Sequence, residues 1–189
     1  MIKLIKRKIF EFLKNNKIFI NQDLFYYGFS VFIHYLIFFI LIIPFIFYYH
    51  TLWLTIFFLV IYSILRKYIG GYHFSNHISC TFVSVIVTIF SPLFSKSLNI
   101  SLLFVVLHIL FSIIIIFLIA PVDHPNKRLS SNEKKSFKHR AITIEFFYLI
   151  VVFISSIFSK NQIINLIFII NLISILSLLF AYKKNNKLN

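Results

Sequence analysis

Long apolar runs separated by short polar segments make up most of the chain. A helix that crosses a bilayer needs about 20 mainly apolar residues, at ~1.5 Å of rise per residue. Four runs approach that length, and two shorter runs lie between the first and the second of them. In chain order the six runs are Gly28–Tyr49, Thr51–Leu65, Ile78–Phe94, Ile100–Ala120, Ala141–Phe158 and Ile163–Tyr182. The pattern predicts an all-α integral membrane protein with about six hydrophobic helices.

The second and third of these helices are predicted to be short. Thr51–Leu65 holds 15 residues, which give roughly 22 Å of helix against a hydrocarbon core of about 30 Å. We therefore expect this pair either to thin the bilayer locally or to be re-entrant, entering and returning on the same side. A re-entrant pair is tolerated only where it packs against protein, so a functional site is expected beside it.

The basic residues predict the orientation in the membrane. The chain has 19 Lys and Arg against 5 Asp and Glu, a formal net charge of +14. Seventeen of the basic residues lie before the first helix, between the second and third, after the fourth or after the sixth, and only Lys96 and Lys160 lie in the other connections. If successive helices alternate in direction, all 17 face one side. The positive-inside rule then places both termini and the 66–77 turn in the cytoplasm.

The composition excludes several classes of protein. Hydrophobic residues make up 60% of the chain and charged residues only 13%, where soluble proteins carry about a quarter. A soluble domain of this size could not bury so much apolar surface, so a soluble enzyme and a disordered tail are both excluded. A basic excess would point to nucleic acid in a soluble protein. Here it belongs to the loops between membrane helices, and no nucleic-acid partner is expected.

The N-terminal segment has an amphipathic pattern of its own. Apolar residues recur at helical spacing with lysines between them, namely Ile2, Ile5, Ile9, Phe12 and Leu13. This is typical of an interfacial helix on an anionic inner leaflet, although a basic flank that only sets the topology explains the pattern equally well. The chain is interpreted as a single membrane domain, 1–189. Its segments are a basic amphipathic start (1–27), helices one to four (28–120), a basic cytoplasmic loop (121–140), two last helices (141–182) and a basic tail (183–189).

The candidate chemistry lies in one segment, residues 66–80. It contains two of the three glycines in the chain, Gly70 and Gly71, and the only cysteine, Cys80. Glycine is useful where backbone turns sharply or approaches a ligand, and a cysteine with a nearby imidazole is the minimum set for a thiolate nucleophile. Two other interpretations stay open. A lone thiol is often a small hydrophobic residue in a core, and a zinc site of two histidines and Cys80 would lack a fourth ligand.

Geometry alone does not decide which histidine would activate Cys80. If a helix starts near residue 74, His77 lies three residues before the cysteine and on the same face. His73 lies seven residues before it, which is ~10.5 Å along a straight helix and too far for a hydrogen bond. His73 therefore reaches the thiol only if the turn at the two glycines folds it back.

The same segment resembles the signature of the accessory gene regulator B family. These proteins are membrane cysteine endopeptidases that mature quorum-sensing peptides in Gram-positive bacteria. The matching positions are Arg66, Gly70, Gly71, Tyr72, His73, Cys80 and Ser84. Tyr27-Gly28 is similar to the opening of the family, and Ala120–Lys127 is similar to its loop before a basic run. The resemblance covers residues ~20–140, and the last two helices match only as hydrophobic segments.

The resemblance implies a role for each candidate residue. Cys80 would be the nucleophile and His73 its base, with no metal and no cofactor. Arg66, Gly70, Gly71 and Ser84 fall at supporting positions of the motif. Asp123 would orient a histidine or bind a basic segment of the substrate. Lys134 and Lys135 belong to a basic cluster that suits an acidic peptide tail, although these lysines also serve simply to hold the loop inside.

The implied substrate is an AgrD-like precursor peptide. Cleavage through a thioester acyl-enzyme would release its charged C-terminal tail, and an internal thiol or hydroxyl would then close a thiolactone or lactone ring. The resemblance also implies a homodimer in the bacterial cell membrane. The main alternative is a small transporter or peptide-export subunit, with His34, His108, Glu145 and asparagines of the last helix as scattered pathway groups. A scaffold or sensor without chemistry is a third possibility.

Overall fold

The computed structural model of the chain describes residues 2–16, 18, 21–72, 77–123 and 128–186. Every regular element within these ranges is helical, which confirms the all-α prediction. The seven helices are α1 (Ile2–Asn15), α2 (Gln22–Tyr48), α3 (Leu52–Ile69), α4 (His77–Ser97), α5 (Leu102–Ile119), α6 (Ser131–Ile157) and α7 (Asn161–Asn186). Helices α2 to α7 are each long and apolar enough to cross a membrane. The protein is therefore a multi-pass membrane protein with a seventh, N-terminal helix.

The two helices predicted to be short are longer than their apolar runs. Helix α3 has 18 residues and α4 has 21, which correspond to roughly 27 and 32 Å. Helix α3 continues through Arg66 and Lys67, which form its last turn. Charged residues interrupt an apolar run but not the backbone hydrogen bonds of a helix, so counting uncharged positions underestimated these spans.

The basic segment 121–140 is only partly a loop, which corrects the prediction. Helix α6 begins at Ser131, ten residues before the apolar run at Ala141. A capping box explains this early start: the Ser130 hydroxyl accepts from the Glu133 N–H, and the Glu133 carboxylate accepts from the Ser130 N–H. These bonds satisfy two groups that a helix start leaves unpaired. Lys134, Lys135, Lys138 and Arg140 consequently lie on the first turns of α6.

Helix α7 lies at the centre of the bundle. It packs against α3, α4, α5 and α6, and half of its membrane segment is buried within the protein. Helix α2 lies at the periphery, where it contacts chiefly α4 and α1. The central core is formed mainly by aliphatic side chains that include Leu65, Ile69, Ile109, Ile116, Val152, Leu166, Ile167, Ile170 and Leu178.

The helix ends meet at two opposite ends of the bundle. At the first, which we call the site end, the Val122 N–H donates to the Ile69 carbonyl at 3.1 Å, and the Asn185 side chain donates to the Asp123 carbonyl at 2.7 Å. At the second, called the opposite end, Lys96 donates to the Tyr49 carbonyl at 3.0 Å. These contacts show that successive membrane helices run in alternating directions.

Candidate functional site

The turn after α3 has the geometry that two glycines permit. Gly70 has φ +77°, a backbone conformation that residues with a Cβ rarely adopt. A Cβ at this position would also lie 2.5 Å from the Val122 carbonyl oxygen, and one at Gly71 would lie 2.9 Å from the Ser177 hydroxyl. The chain needs glycine here because the α3 end passes so close to the segment after α5 and to α7.

Arg66 and α7 hold the residue that follows the glycines. The Arg66 guanidinium donates to the Tyr72 carbonyl at 2.8 Å and to the Tyr62 hydroxyl, one helical turn away. The Tyr72 N–H donates to the Ser177 hydroxyl at 3.0 Å and approaches the Ser177 carbonyl at 3.2 Å. Both backbone polar groups of Tyr72 are thus bound. The motif pointed to Arg66, whereas no pattern in the sequence singled out Ser177, because it lies 105 positions from its partner.

Cys80 lies in the first turn of α4, its thiol is free and its side chain is partly buried. The next residue, Thr81, approaches the His34 ring of α2, with 3.5 Å between its hydroxyl and Nδ1. His34 was counted among scattered transporter groups, and only helix packing brings it beside the cysteine segment. His73 lies outside the described residues, as does the side chain of His77, so the choice between them stays a prediction. Ser84 follows Cys80 by one helical turn and is exposed.

A cavity of about 380 Å³ lies beside the glycine turn. Four of the predicted supporting residues line it, namely Arg66, Gly70, Gly71 and Asp123. Apolar and aromatic side chains that include Tyr68, Val122, Leu129 and Phe137 form other parts of the wall. Cys80 and Ser84 are not among the described residues that line it. The structure therefore brings the α3 and α5 parts of the motif together around one cavity.

Asp123 is paired with Lys134 and not with a histidine among the described residues. The Lys134 amine lies 2.6 Å from the Asp123 Oδ2 atom. The Asp123 Oδ1 atom is buried and has no hydrogen-bond partner within the described ranges. Lys135 is exposed and does not line the cavity. The two lysines that the sequence grouped together are thus distinct: Lys134 is paired with Asp123 of the cavity wall, and Lys135 is exposed and is not part of that wall.

Aromatic rings and cations surround the same end of the bundle. The Tyr68 ring packs edge-on against Phe137, with Lys67 Nζ 5.5 Å and Arg140 Cζ 5.6 Å from the ring centroid. Lys184 lies over the Tyr72 ring at 4.8 Å. As for a metal site, no group of three or more His, Cys, Asp or Glu side chains occurs in the part of the chain that the structure describes. The site end therefore offers positive charge and aromatic surface to a ligand.

The comparisons with known proteins identify the family. The family model described as accessory gene regulator B matches residues 6–179, which includes the last two helices as well as the motif segment. No curated protein and no solved structure matches the chain. A match over most of the chain, on a bundle of six membrane helices, shows that the protein belongs to the accessory gene regulator B family, the membrane proteins of quorum-sensing peptide processing.

Proposed function

We propose that the protein is a membrane cysteine endopeptidase that removes the C-terminal tail of an AgrD-like precursor peptide. The observation that carries the proposal is Cys80, the only cysteine of the chain. Its free and partly accessible thiol lies in the first turn of α4, nine residues after Gly71 of the anchored glycine turn. A structural cysteine would be expected among apolar side chains inside the bundle, and not partly accessible in the first turn of a helix.

The proposed reaction begins with attack of the Cys80 sulfur on a peptide carbonyl of the precursor. His73 accepts the thiol proton and returns a proton to the leaving amine, and the acyl group stays on the sulfur as a thioester. An internal thiol or hydroxyl of the peptide then attacks the thioester, which releases Cys80 and closes a thiolactone or lactone ring. The positive end of the α4 dipole favours negative charge that develops at this position.

The anchoring of Tyr72 supports His73 as the base. Tyr72 precedes His73, and its N–H and carbonyl are both bound, by Ser177 and Arg66. A base must be held close to the proton that it abstracts, and a fixed preceding residue restricts where the imidazole can go. In the proposal, the change of direction that His73 needs in order to approach Cys80 comes from the glycine turn. We therefore retain His73 rather than His77 in the proposal.

The cavity beside the turn is the proposed binding place for the peptide next to the cleaved bond. Its wall carries Arg66 and Lys67 as cations and Asp123 as an acceptor. The unpartnered Oδ1 of Asp123 suits a donor from the peptide, and the cations suit the acidic tail. This part of the proposal places the site at the cytoplasmic face of the cell membrane, next to the anionic inner leaflet. No cofactor takes part, and a homodimer is the proposed assembly.

Mass spectrometry of a co-expressed precursor peptide tests the proposal. Variants Cys80→Ala and His73→Ala should abolish cleavage, whereas His77→Ala and His34→Ala should leave it. Each variant is first matched to the wild type for abundance in the membrane. Cleavage that persists in Cys80→Ala would refute the peptidase, and loss in His77→Ala with retention in His73→Ala would transfer the base to His77.

The transport alternative gains no specific support. A transport pathway would place ionisable groups along a water-filled route. Glu145 and Asn171 are fully buried among helices, and neither lines the cavity at the site end or the larger cavity at the opposite end. The Asn171 amide instead donates a short hydrogen bond to the Glu145 carboxylate inside the bundle.

A further inference from the structure

A polar cluster joins three helices in the middle of the bundle. It consists of Ser112 of α5, Glu145 of α6 and Asn171 of α7, each with no exposed surface. The Asn171 amide donates to the Glu145 Oε2 atom at 2.6 Å and to the Ser112 hydroxyl at 3.1 Å. All three residues lie near the middle of their helices. The cluster is therefore at membrane depth and far from both ends of the bundle.

Two oxygens of this cluster accept no hydrogen bond from the described residues, and one further donor between them would satisfy both. Both amide hydrogens of Asn171 are used, and the Ser112 hydroxyl donates to the Ile109 carbonyl at 2.7 Å. The Glu145 Oε1 and Asn171 Oδ1 atoms are buried without a partner. An ionised carboxylate and an amide carbonyl only accept, so neither can satisfy the other. The two orphan oxygens belong to side chains that are already joined by a short hydrogen bond.

The ion pairs of the described residues also leave the Glu145 carboxylate without a charged partner. The ion pairs found within the described ranges are Arg7–Glu11 and Lys134–Asp123, and Glu145 is in neither. Two other titratable groups lie one helical turn from members of the cluster: Tyr148 follows Glu145 on α6 and donates its hydroxyl to the Ile61 carbonyl, and His108 precedes Ser112 on α5. An uncompensated carboxylate in a bilayer is costly, and such groups are normally paired or neutral.

We propose that Glu145 carries its proton in the folded protein and donates it from Oε1 to the Asn171 carbonyl. The acid and the amide then form two hydrogen bonds, one in each direction, and Ser112 extends the pair to a third helix. This neutral clamp fixes α5, α6 and α7 to one another. Because Asn171 lies six residues before Ser177, about 9 Å along α7, the clamp also positions the helix that holds Tyr72.

Infrared spectroscopy of the purified wild-type protein in lipid nanodiscs tests the protonation state directly. The chain has three glutamates, Glu11, Glu133 and Glu145, and the first two are exposed. With carboxyl-labelled ¹³C-glutamate, one carbonyl band of a protonated acid should shift at neutral pH. That band should vanish in Glu145→Gln and persist in Glu133→Gln. A wild-type spectrum without a protonated glutamate band overturns the proposal, as does a band that survives Glu145→Gln.

Thermal unfolding of matched variants gives a second, independent test. Gln at position 145 can donate to and accept from Asn171, so Glu145→Gln should keep the unfolding midpoint close to that of the wild type. Glu145→Ala should lower the midpoint by several degrees. Exchanging sodium for choline should change neither value. Two results would contradict the proposal: an equal fall of the midpoint in Glu145→Gln and Glu145→Ala, or a rise of the midpoint in sodium that requires Glu145. Either result would favour an ionised Glu145 carboxylate with a bound cation. Neither readout depends on the peptidase proposal.

Discussion

At the scale of single residues, the site end depends on a few side chains whose size or shape leaves no substitute. Gly70 combines a positive φ with a close approach to the Val122 carbonyl. Arg66 binds two oxygens at once, one on its own helix and one beyond the turn. Both residues act on backbone position. Their replacement should therefore disturb the segment before His73 even where no chemical group of the reaction is removed.

Alanine substitutions at Gly70 and Gly28 test whether the turn requires glycine. Gly70→Ala should lower the free energy of unfolding by about 1–3 kcal/mol, because alanine is strained at this φ and its Cβ would meet the Val122 carbonyl. Gly28→Ala is the control, since a Cβ there meets nothing within 4 Å and helix propensity improves by up to about 1 kcal/mol. Unfolding in detergent, followed by circular dichroism, compares the two. Equal stability of both variants would contradict the argument from the turn.

Arg66 is predicted to be irreplaceable by lysine. A lysine amine is a single point charge on a flexible chain and cannot bind the Tyr62 hydroxyl and the Tyr72 carbonyl in the same fixed geometry. Arg66→Lys should reduce the rate of peptide cleavage by about tenfold or more, corresponding to roughly 1.4 kcal/mol, while the amount of protein in the membrane stays the same. The control is Lys67→Arg, because the wild-type Lys67 side chain binds no backbone carbonyl in the described residues. A wild-type rate in Arg66→Lys would show that charge alone suffices.

At the scale of helices, the early start of α6 makes the second half of the basic segment 121–140 helical. The capping box at Ser130 turns a predicted loop into three helical turns, and these turns contact neighbouring helices. Lys138 donates to the Phe117 carbonyl at the end of α5 at 2.8 Å, and Phe137 packs against Tyr68 of α3. The basic residues of this segment thus lie on a helix that packs against α3 and α5 through Phe137 and Lys138.

Charge reversal on this helix should separate Lys134 from Lys135. In Lys134→Glu the new carboxylate would face Asp123, which loses a pair worth up to about 1 kcal/mol at a partly exposed position and brings like charges together. Peptide cleavage should slow in Lys134→Glu and change little in Lys135→Glu. Mass spectrometry of the precursor measures the rates, and reporter fusions confirm that the topology is unaltered. Inversion of the loop in either variant would mean that these lysines act on topology.

At the scale of the whole molecule, the distribution of charge matches the two ends of the bundle. Lys96 and Lys160 line the cavity of about 1050 Å³ at the opposite end, while Arg66, Lys67, Lys134, Lys138 and Lys184 lie at the site end. Since the helices alternate in direction, the positive-inside rule predicts that the site end faces the cytoplasm. The precursor peptide of the proposed function would then meet the site on the side of the membrane where it is synthesised.

Thiol labelling of intact cells tests this orientation. The single cysteine permits a clean background, Cys80→Ala, into which Asn99→Cys or Ser131→Cys is introduced. Both positions are exposed, and they lie at opposite ends. A membrane-impermeant reagent should label the variant at position 99 and reach position 131 only after permeabilisation. The reverse result would place the site end outside the cell.

Much of the molecule was determined by local sequence. Six apolar runs predicted six membrane helices because the cost of burying polar groups in lipid acts on each segment separately. The pair of glycines, Arg66 and Cys80 were singled out as candidates for a similar reason, since all four lie within one short segment. The resemblance to the family rested on those same positions.

Only the tertiary structure decided which distant residues meet. Ser177 binds Tyr72, Asn185 binds the Asp123 backbone, and Asn171 joins Glu145 to Ser112, each across 26 or more positions. The tertiary structure also decided where α3 ends and where α6 begins, because backbone hydrogen bonds and helix capping, and not hydropathy, set those limits. The sequence by itself determined what can enter the membrane, because partition energy is a property of each segment. Packing determined the contacts, because they depend on the relative depth and rotation of helices that no single segment contains.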